Sequence, residues 1–132
     1  MKISIVTAAF NSAGTIADAM ESVLSQTYPD IEYVLVDGAS KDSTMDVAKK
    51  LEPNFRGRMK WVSEADKGIY DAMNKGIKMA SGDVVGTLNS DDMLASNDAV
   101  EKIAETFLSS GAECVYGKLN IVCLLYTSDA AD

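Results

Sequence analysis

Apolar and polar positions along this chain follow two alternating periods. Short apolar runs rich in β-branched residues read as buried strands: "KISIVT" (2–7), "IEYVLVD" (31–37), "KWVSE" (60–64), "DVVGTL" (83–88) and "AECVYG" (112–117). Between them, apolar residues recur at helical spacing. The first such stretch carries Ile16, Ala19, Met20, Val23 and Leu24, with Ser12 as its expected cap and an end before Pro29. The second carries Met45, Val47, Ala48 and Leu51 after the turn and cap of "GASKDST". The third, "GIYDAMNKGIKMA", carries Ile69, Ala72, Met73, Ile77 and Ala80 and is expected to stop at Gly82; the fourth covers 98–109. Strands and helices in alternation predict an α/β fold, a doubly wound, mostly parallel sheet with right-handed crossovers.

In such sheets, ligands bind beyond the carboxyl ends of the strands. The polar residues that fall there are Asp37 and the cluster Asn89, Ser90, Asp91 and Asp92. Adjacent carboxylates repel, so Asp91 and Asp92 at the end of a buried strand point to a cation between them, a divalent metal held by hard oxygens. The competing role is a turn or cap ahead of the next helix. Asp37 can accept from a ribose hydroxyl or a base N–H, or close an Asx-turn, and its spacing favours neither. "TAAFN" (7–11) sets small residues after the first strand, allowing close backbone approach by a ligand or simply a tight turn. It contains no G-x-G-x-x-G and no P-loop signature, against dinucleotide and NTPase functions. In "EADKGIYDAMNKG" (64–76), Lys67 could offset diphosphate charge and Asp66 could bond a sugar hydroxyl. A capped surface helix with an Asp71–Lys75 pair explains the same residues.

Composition narrows the classes. The 132 residues suffice for one domain, and 47% hydrophobic with 24% charged is ordinary for a globular protein. A net charge of −8 argues against a nucleic-acid surface, though not against nucleotides. No apolar run approaches the roughly 20 residues of a membrane span, and no signal peptide is read at the N-terminus, so the expected location is the cytoplasm. Cys114 and Cys123 have no metal spacing and form no disulfide framework. Histidine is absent, which removes the commonest general base and zinc ligand.

Four segments in order carry a family resemblance: "SIVTAAFNSAGTI", "SVLSQTYPDIEYVLVDGASKDST", "SEADKGIYDAMNKGIKMASGD" and "GTLNSDDML". Each is weak alone; together, in this order and spacing, they are specific. Over residues 1–118 the chain resembles the donor-binding part of family 2 glycosyltransferases, inverting, metal-dependent enzymes of the GT-A fold. Its "DGAS" and "DKGIYDAMNKGI" look like those of bacterial polysaccharide and glycolipid transferases. The resemblance implies a nucleotide-sugar donor, UDP-linked, and a saccharide or lipid-linked acceptor. It also admits peripheral association at the inner face of a membrane. Backbone around Thr7 and Ala8, with Asn11 and Asp37, would hold the nucleotide. Asp66 and Lys67 would lie near the donor, Asp91 would bind ribose, and Asp92 would coordinate Mg²⁺ or Mn²⁺. The chain departs from the pattern in having Gly38 where many members carry a second acid. The family's catalytic base lies further downstream, so no residue of this chain is expected to supply it; Asp129 and Asp132 stand in the wrong context. Residues 119–132 do not continue the pattern, and an atypical tail without a packed element, foreign or disordered, is expected there.

Three other functions fit less well. A nucleotidyltransferase would show a Gly-rich basic loop after the first strand, and a phospho-accepting signalling domain would carry its acid pair there. A module that binds a nucleotide-sugar without turnover has the same donor-site residues.

Overall fold

A computed structural model describes residues 1–111 and the backbone of two later strands. The order is β1 (Ile3–Ala9), α1 (Ile16–Leu24), β2 (Ile31–Asp37), α2 (Thr44–Leu51), a 3₁₀ turn (Glu52–Phe55), β3 (Met59–Ser63), α3 (Ile69–Met79), β4 (Val84–Thr87), α4 (Ala99–Ser110), β5 (Cys114–Tyr116) and β6 (Ile121–Leu124). They form one sheet in the order β3-β2-β1-β4-β6-β5. The first four strands of that order run parallel, with Ile3 opposite Ile31 on one side and Val84 on the other. The α/β, mostly parallel architecture expected from the pattern is what the chain adopts.

All seven positions of β2 are buried, as a strand covered on both faces requires. Alternation divides the side chains between two layers. Ile3, Ile5, Tyr33 and Leu35 face α1, α2 and α4, packing with Ile16, Met20, Ala48, Val100 and Phe107. Val6, Val34 and Val36 face α3 and Ala72. Helix α3 comes very close to the sheet: a Cβ on Gly76 would sit 2.3 Å from Val6 Cγ1.

Several local expectations are corrected. Ser12 does not cap α1, which begins at Ile16 after Thr15. Its amide is bound by Thr44 Oγ1 at 2.8 Å and its hydroxyl lies 2.8 Å from Ser90 Oγ, so tertiary partners take the groups a cap would use. Gly82 is not the stop of α3, which ends at Met79. It is a site of close approach, where a Cβ would lie 2.8 Å from Ser4 N and 2.9 Å from Lys2 O. Strand β3 is displaced by one residue from 60–64. The reading of 119–132 as lacking a packed element fails for Ile121–Leu124. These residues insert between β4 and β5, antiparallel to both, with Val85 opposite Cys123 and Cys114 opposite Cys123. A short apolar run fits a strand as well as irregular chain, and only the partner decides. The other residues of 119–132 lie outside the described residues.

At the amino end of the sheet, Glu32 is buried on the α3 side, its side chain 4% exposed. It accepts from Ser4 Oγ at 2.9 Å and from Ser81 N and Oγ at 2.8 Å, and pairs with Lys60 at 3.0 Å and Lys2 at 3.5 Å. Burial alone would raise its pKa. The bonds from Ser81, Lys60 and Ser4 outweigh that and hold the carboxyl at about 2.

Candidate functional site

The strand order reverses between β1 and β4, with β2 and β3 on one side of β1 and the second wing on the other. A crevice opens at the carboxyl ends of strands flanking such a switch point. Here it consists of two adjoining clefts of about 450 and 510 Å³, which share Ala8, Phe10, Ile69 and Ser90. The first extends to Gly38 and Asp66, the second to Asn11, Asn89 and Asp91.

Polar bonds between loops fix the floor. Asp37 is fully buried and accepts from Ser40 N at 2.9 Å, Ser40 Oγ at 2.5 Å and Ser63 Oγ at 2.7 Å. The local turn therefore forms, and a contact reaching across from β3 completes it. Asn11, in the left-handed region at φ 49°, receives Lys41 N on its Oδ1 at 2.9 Å and donates its own amide to Ser40 Oγ at 2.8 Å. Asn tolerates that conformation better than most residues. Asp42 accepts from Ala13 N at 3.1 Å and from the amide and hydroxyl of Thr44, tying the β1 loop to the start of α2. The bond from the Thr44 hydroxyl is the main cause of its lowered pKa.

Asp91 is exposed and Asp92 half-buried. Asp92 Oδ2 accepts from Asn89 Nδ2 at 3.2 Å, and the Asp92 amide donates to Asn89 O at 3.0 Å, closing a turn. Among the described residues neither carboxylate forms an ion pair. Nor does any group of three or more His, Cys, Asp or Glu side chains converge there. Two hard-oxygen donors without a cationic partner suit a divalent ion that takes its other ligands from phosphate oxygens and water.

The other expected residues divide. Ala8 lines both clefts and Asn11 the second. Asp66 lines the first, its Oδ1 accepting from Gly68 N at 3.0 Å. Thr7 points the opposite way, as alternation requires, and is buried in the α1 layer beside Tyr33. The two hydroxyls are neighbours without forming a well-shaped hydrogen bond, and burial pushes the Tyr33 phenol above its ordinary range. Lys67 is exposed and lines neither cleft; its amide donates to Asp71 Oδ2 at 2.9 Å.

Sequence reasoning missed Phe10 and Ile69 as site residues; Ser90 falls in the polar cluster read at 89–92 but without a role of its own. Phe10 and Ile69 are 62% and 54% exposed yet wall both clefts. The available signal was an aromatic directly after a strand end and before a polar turn, where the core pattern gives it no place.

Comparison with known proteins accords with this geometry. The family model "Glycosyl transferase family 2" matches residues 4–123. A "PGL/p-HBAD biosynthesis glycosyltransferase" of Mycobacterium bovis is 38% identical over 101 residues, covering 76% of this chain and 40% of the relative. An "uncharacterized glycosyltransferase" of Nostoc is 35% identical over 122 residues, covering 92% and 38%. The chain thus spans about two fifths of the length of the curated relatives it matches. Among solved structures, S. aureus TarS superposes with a TM-score of 0.78 at 23% identity, over 89% of this chain and 37% of that one. The mannosyltransferase PcManGT of Pyrobaculum calidifontis superposes with a TM-score of 0.81 at 21% identity, over 89% and 35%. These two likenesses establish the GT-A fold. With the family match spanning nearly the whole of it, the chain belongs to glycosyl transferase family 2.

Proposed function

We propose that this chain is the donor-binding part of a glycosyltransferase. It binds a nucleoside diphosphate sugar, UDP-linked, with Mg²⁺ or Mn²⁺, and the whole enzyme passes the sugar to a saccharide or lipid-linked acceptor. The observation that carries this reading is the pair of carboxylates without a cationic partner among the described residues, Asp91 lining the switch-point crevice and Asp92 next to it in the same turn. Fold relatives support it: TarS is in complex with UDP-GlcNAc in one structure, and PcManGT with GDP-Man and Mn²⁺ in another.

In this reading Phe10 presents its ring to the nucleotide base, since a π-face accepts any planar base. Ala8 and Gly38 leave room for close approach. Asp37 is assigned to the nucleoside as well; it is fully buried and Ser40 and Ser63 take three of its four acceptor positions, so a contact with the base needs the turn after β2 to give way. Asp91 takes a ribose hydroxyl and Asp92 holds the metal. A divalent ion there supplies charge neutralisation for the departing diphosphate. The described part of the chain contributes binding and orientation, and the proton acceptor for the acceptor hydroxyl is assigned to the downstream part of the enzyme.

Calorimetric titration of UDP, with and without Mn²⁺, tests this on the wild-type chain and on Asp92→Ala, with circular dichroism of both. Mn²⁺-dependent binding that disappears in a folded Asp92→Ala protein is the expected result. Binding that ignores both metal and mutation overturns the role of Asp92.

A further inference from the structure

The acid-bearing turn hangs between fixed points. Before it, Leu88 is buried and its amide donates to Val6 O at 2.9 Å. After it, Leu94 N donates to Ser22 Oγ at 3.1 Å, Gln26 Nε2 to Ser96 O at 2.7 Å, and Thr27 N to Asn97 O at 2.7 Å. Asp91 and Asp92 lie between these anchors, and one side-chain contact ties their turn to the β1 loop. It joins Ser12 Oγ to Ser90 Oγ at 2.8 Å, between residues 78 positions apart.

Ser12 is a rigid post for that contact. Its amide is bound to the buried Thr44 hydroxyl, its carbonyl accepts from Thr15 N and Ile16 N, and its hydroxyl lies 3.2 Å from Phe10 O. With the Ser12 hydroxyl donating to Phe10 O, Ser90 donates to Ser12. The chain of bonds then runs from the Phe10 backbone carbonyl to the residue preceding the acid pair. We propose that Ser12 and Ser90 are positioning residues that fix the acid pair relative to the Phe10 wall. They thereby set the span between the nucleoside and diphosphate–metal subsites. This rests on the donor-site reading and adds a role that the acids alone do not explain. A hydroxyl pair suits the task because each partner can donate and accept, so one bond locks two loops without adding charge beside the carboxylates.

The test compares Ser12→Ala, Ser90→Ala, the double variant and Ser90→Thr with wild type. One readout is calorimetric affinity for UDP with Mn²⁺ and for uridine without metal. The other is amide hydrogen exchange across residues 89–94 in the ligand-free protein. Each single alanine variant is expected to weaken Mn²⁺-dependent UDP binding by about 3- to 10-fold, the range of one hydrogen bond. Uridine affinity stays unchanged and exchange across 89–94 accelerates. The double variant is expected to be no worse than either single one, and Ser90→Thr to restore both readouts. A loss confined to Ser90→Ala means that the Ser90 hydroxyl serves the ligand directly, and it overturns the proposal. Additive losses, or unchanged exchange in both single variants, overturn it too. Absence of any Mn²⁺-dependent UDP binding by folded wild type overturns the donor reading and this proposal with it. Wild-type binding that both alanine variants share overturns the positioning role alone.

Discussion

Strand β2 carries a buried carboxylate near each end, and the two are satisfied by different chemistry. Glu32, at the amino end, is gripped by two lysines as well as by Ser4 and Ser81, which ties together β1, β2, β3 and the approach to β4. Asp37, at the carboxyl end, is held by Ser40 and Ser63, neutral donors only. One end has its negative charge cancelled within the protein. At the other, Asp37 has only neutral donors against it, and Asp91 and Asp92 in the turn after β4 form no ion pair among the described residues. Charge compensation at one edge and its absence at the other separate a structural rivet from a surface prepared for a ligand.

Removing the rivet is the strongest way to break this contrast. Glu32→Ala leaves Ser81 N and Ser4 Oγ without their acceptor and two lysines without their partner. The expected loss is about 3 kcal/mol, read from the urea midpoint, the partial exposure of both lysines keeping it at the low end of the buried-pair range. Asp92→Ala, by contrast, is expected to leave the midpoint where it is. An equal loss for both would erase the distinction.

Acid titration addresses the same rivet without mutation. The Glu32 carboxyl is held at about 2 against an ordinary 4.5, so its contribution is fully present above pH 4.5. As pH falls the unfolded chain takes up the proton first, and stability declines down to about pH 2, by about 3 kcal/mol in all. Subtracting the same titration of Glu32→Gln isolates this share; parallel curves for the two proteins would remove Glu32 as its source.

Glycines at the two edges sharpen the comparison. At Gly82 an added Cβ meets backbone atoms of Ser4 and Lys2 that cannot yield, so Gly82→Ala is expected to cost about 2 kcal/mol in thermal or urea unfolding. At Gly38 the added Cβ meets Asp66 Oδ2 at 3.0 Å and Phe10 Cδ1 at 3.4 Å, side-chain ends that can swing away. Gly38→Ala should therefore alter UDP affinity more than stability. The smallest effect is expected at Ala39, which stands at φ 59° in the turn after Asp37. Ala39→Gly relieves that conformation and should raise stability by about 0.5–1 kcal/mol, a shift in midpoint with unchanged slope.

The repeating parts of the fold were legible because burial imposes a period. β2 is found at 31–37 as expected, and α1 buries Ile16, Ala19, Met20 and Val23. Misreadings gathered where a distant partner outbids local preference. Ser12 and Gly82 look like helix boundaries, yet each is committed to a contact from elsewhere in the chain. β6 eluded the pattern because its place between β4 and β5 is out of chain order. At the site, acids at strand ends were readable from charge against an apolar run. The cross-loop pair Ser12–Ser90 and the Phe10 wall were not, since neither a lone hydroxyl nor a lone exposed aromatic has a period. Thr7 is expected to serve through its backbone, and its parity along β1, which turns its hydroxyl to Tyr33, leaves that expectation as it was.

The pairing of β1 with β4 has a kinetic consequence. β1, β2 and β3 are consecutive neighbours that can assemble as the chain is made, whereas the crevice needs β4 to close onto β1 from the far side of β2 and β3. Such non-local closure is slow relative to local steps, because loop entropy is spent before contacts repay it. A nucleotide that binds this crevice would favour only chains in which that closure is complete, acting as a late-stage folding clamp as well as a substrate.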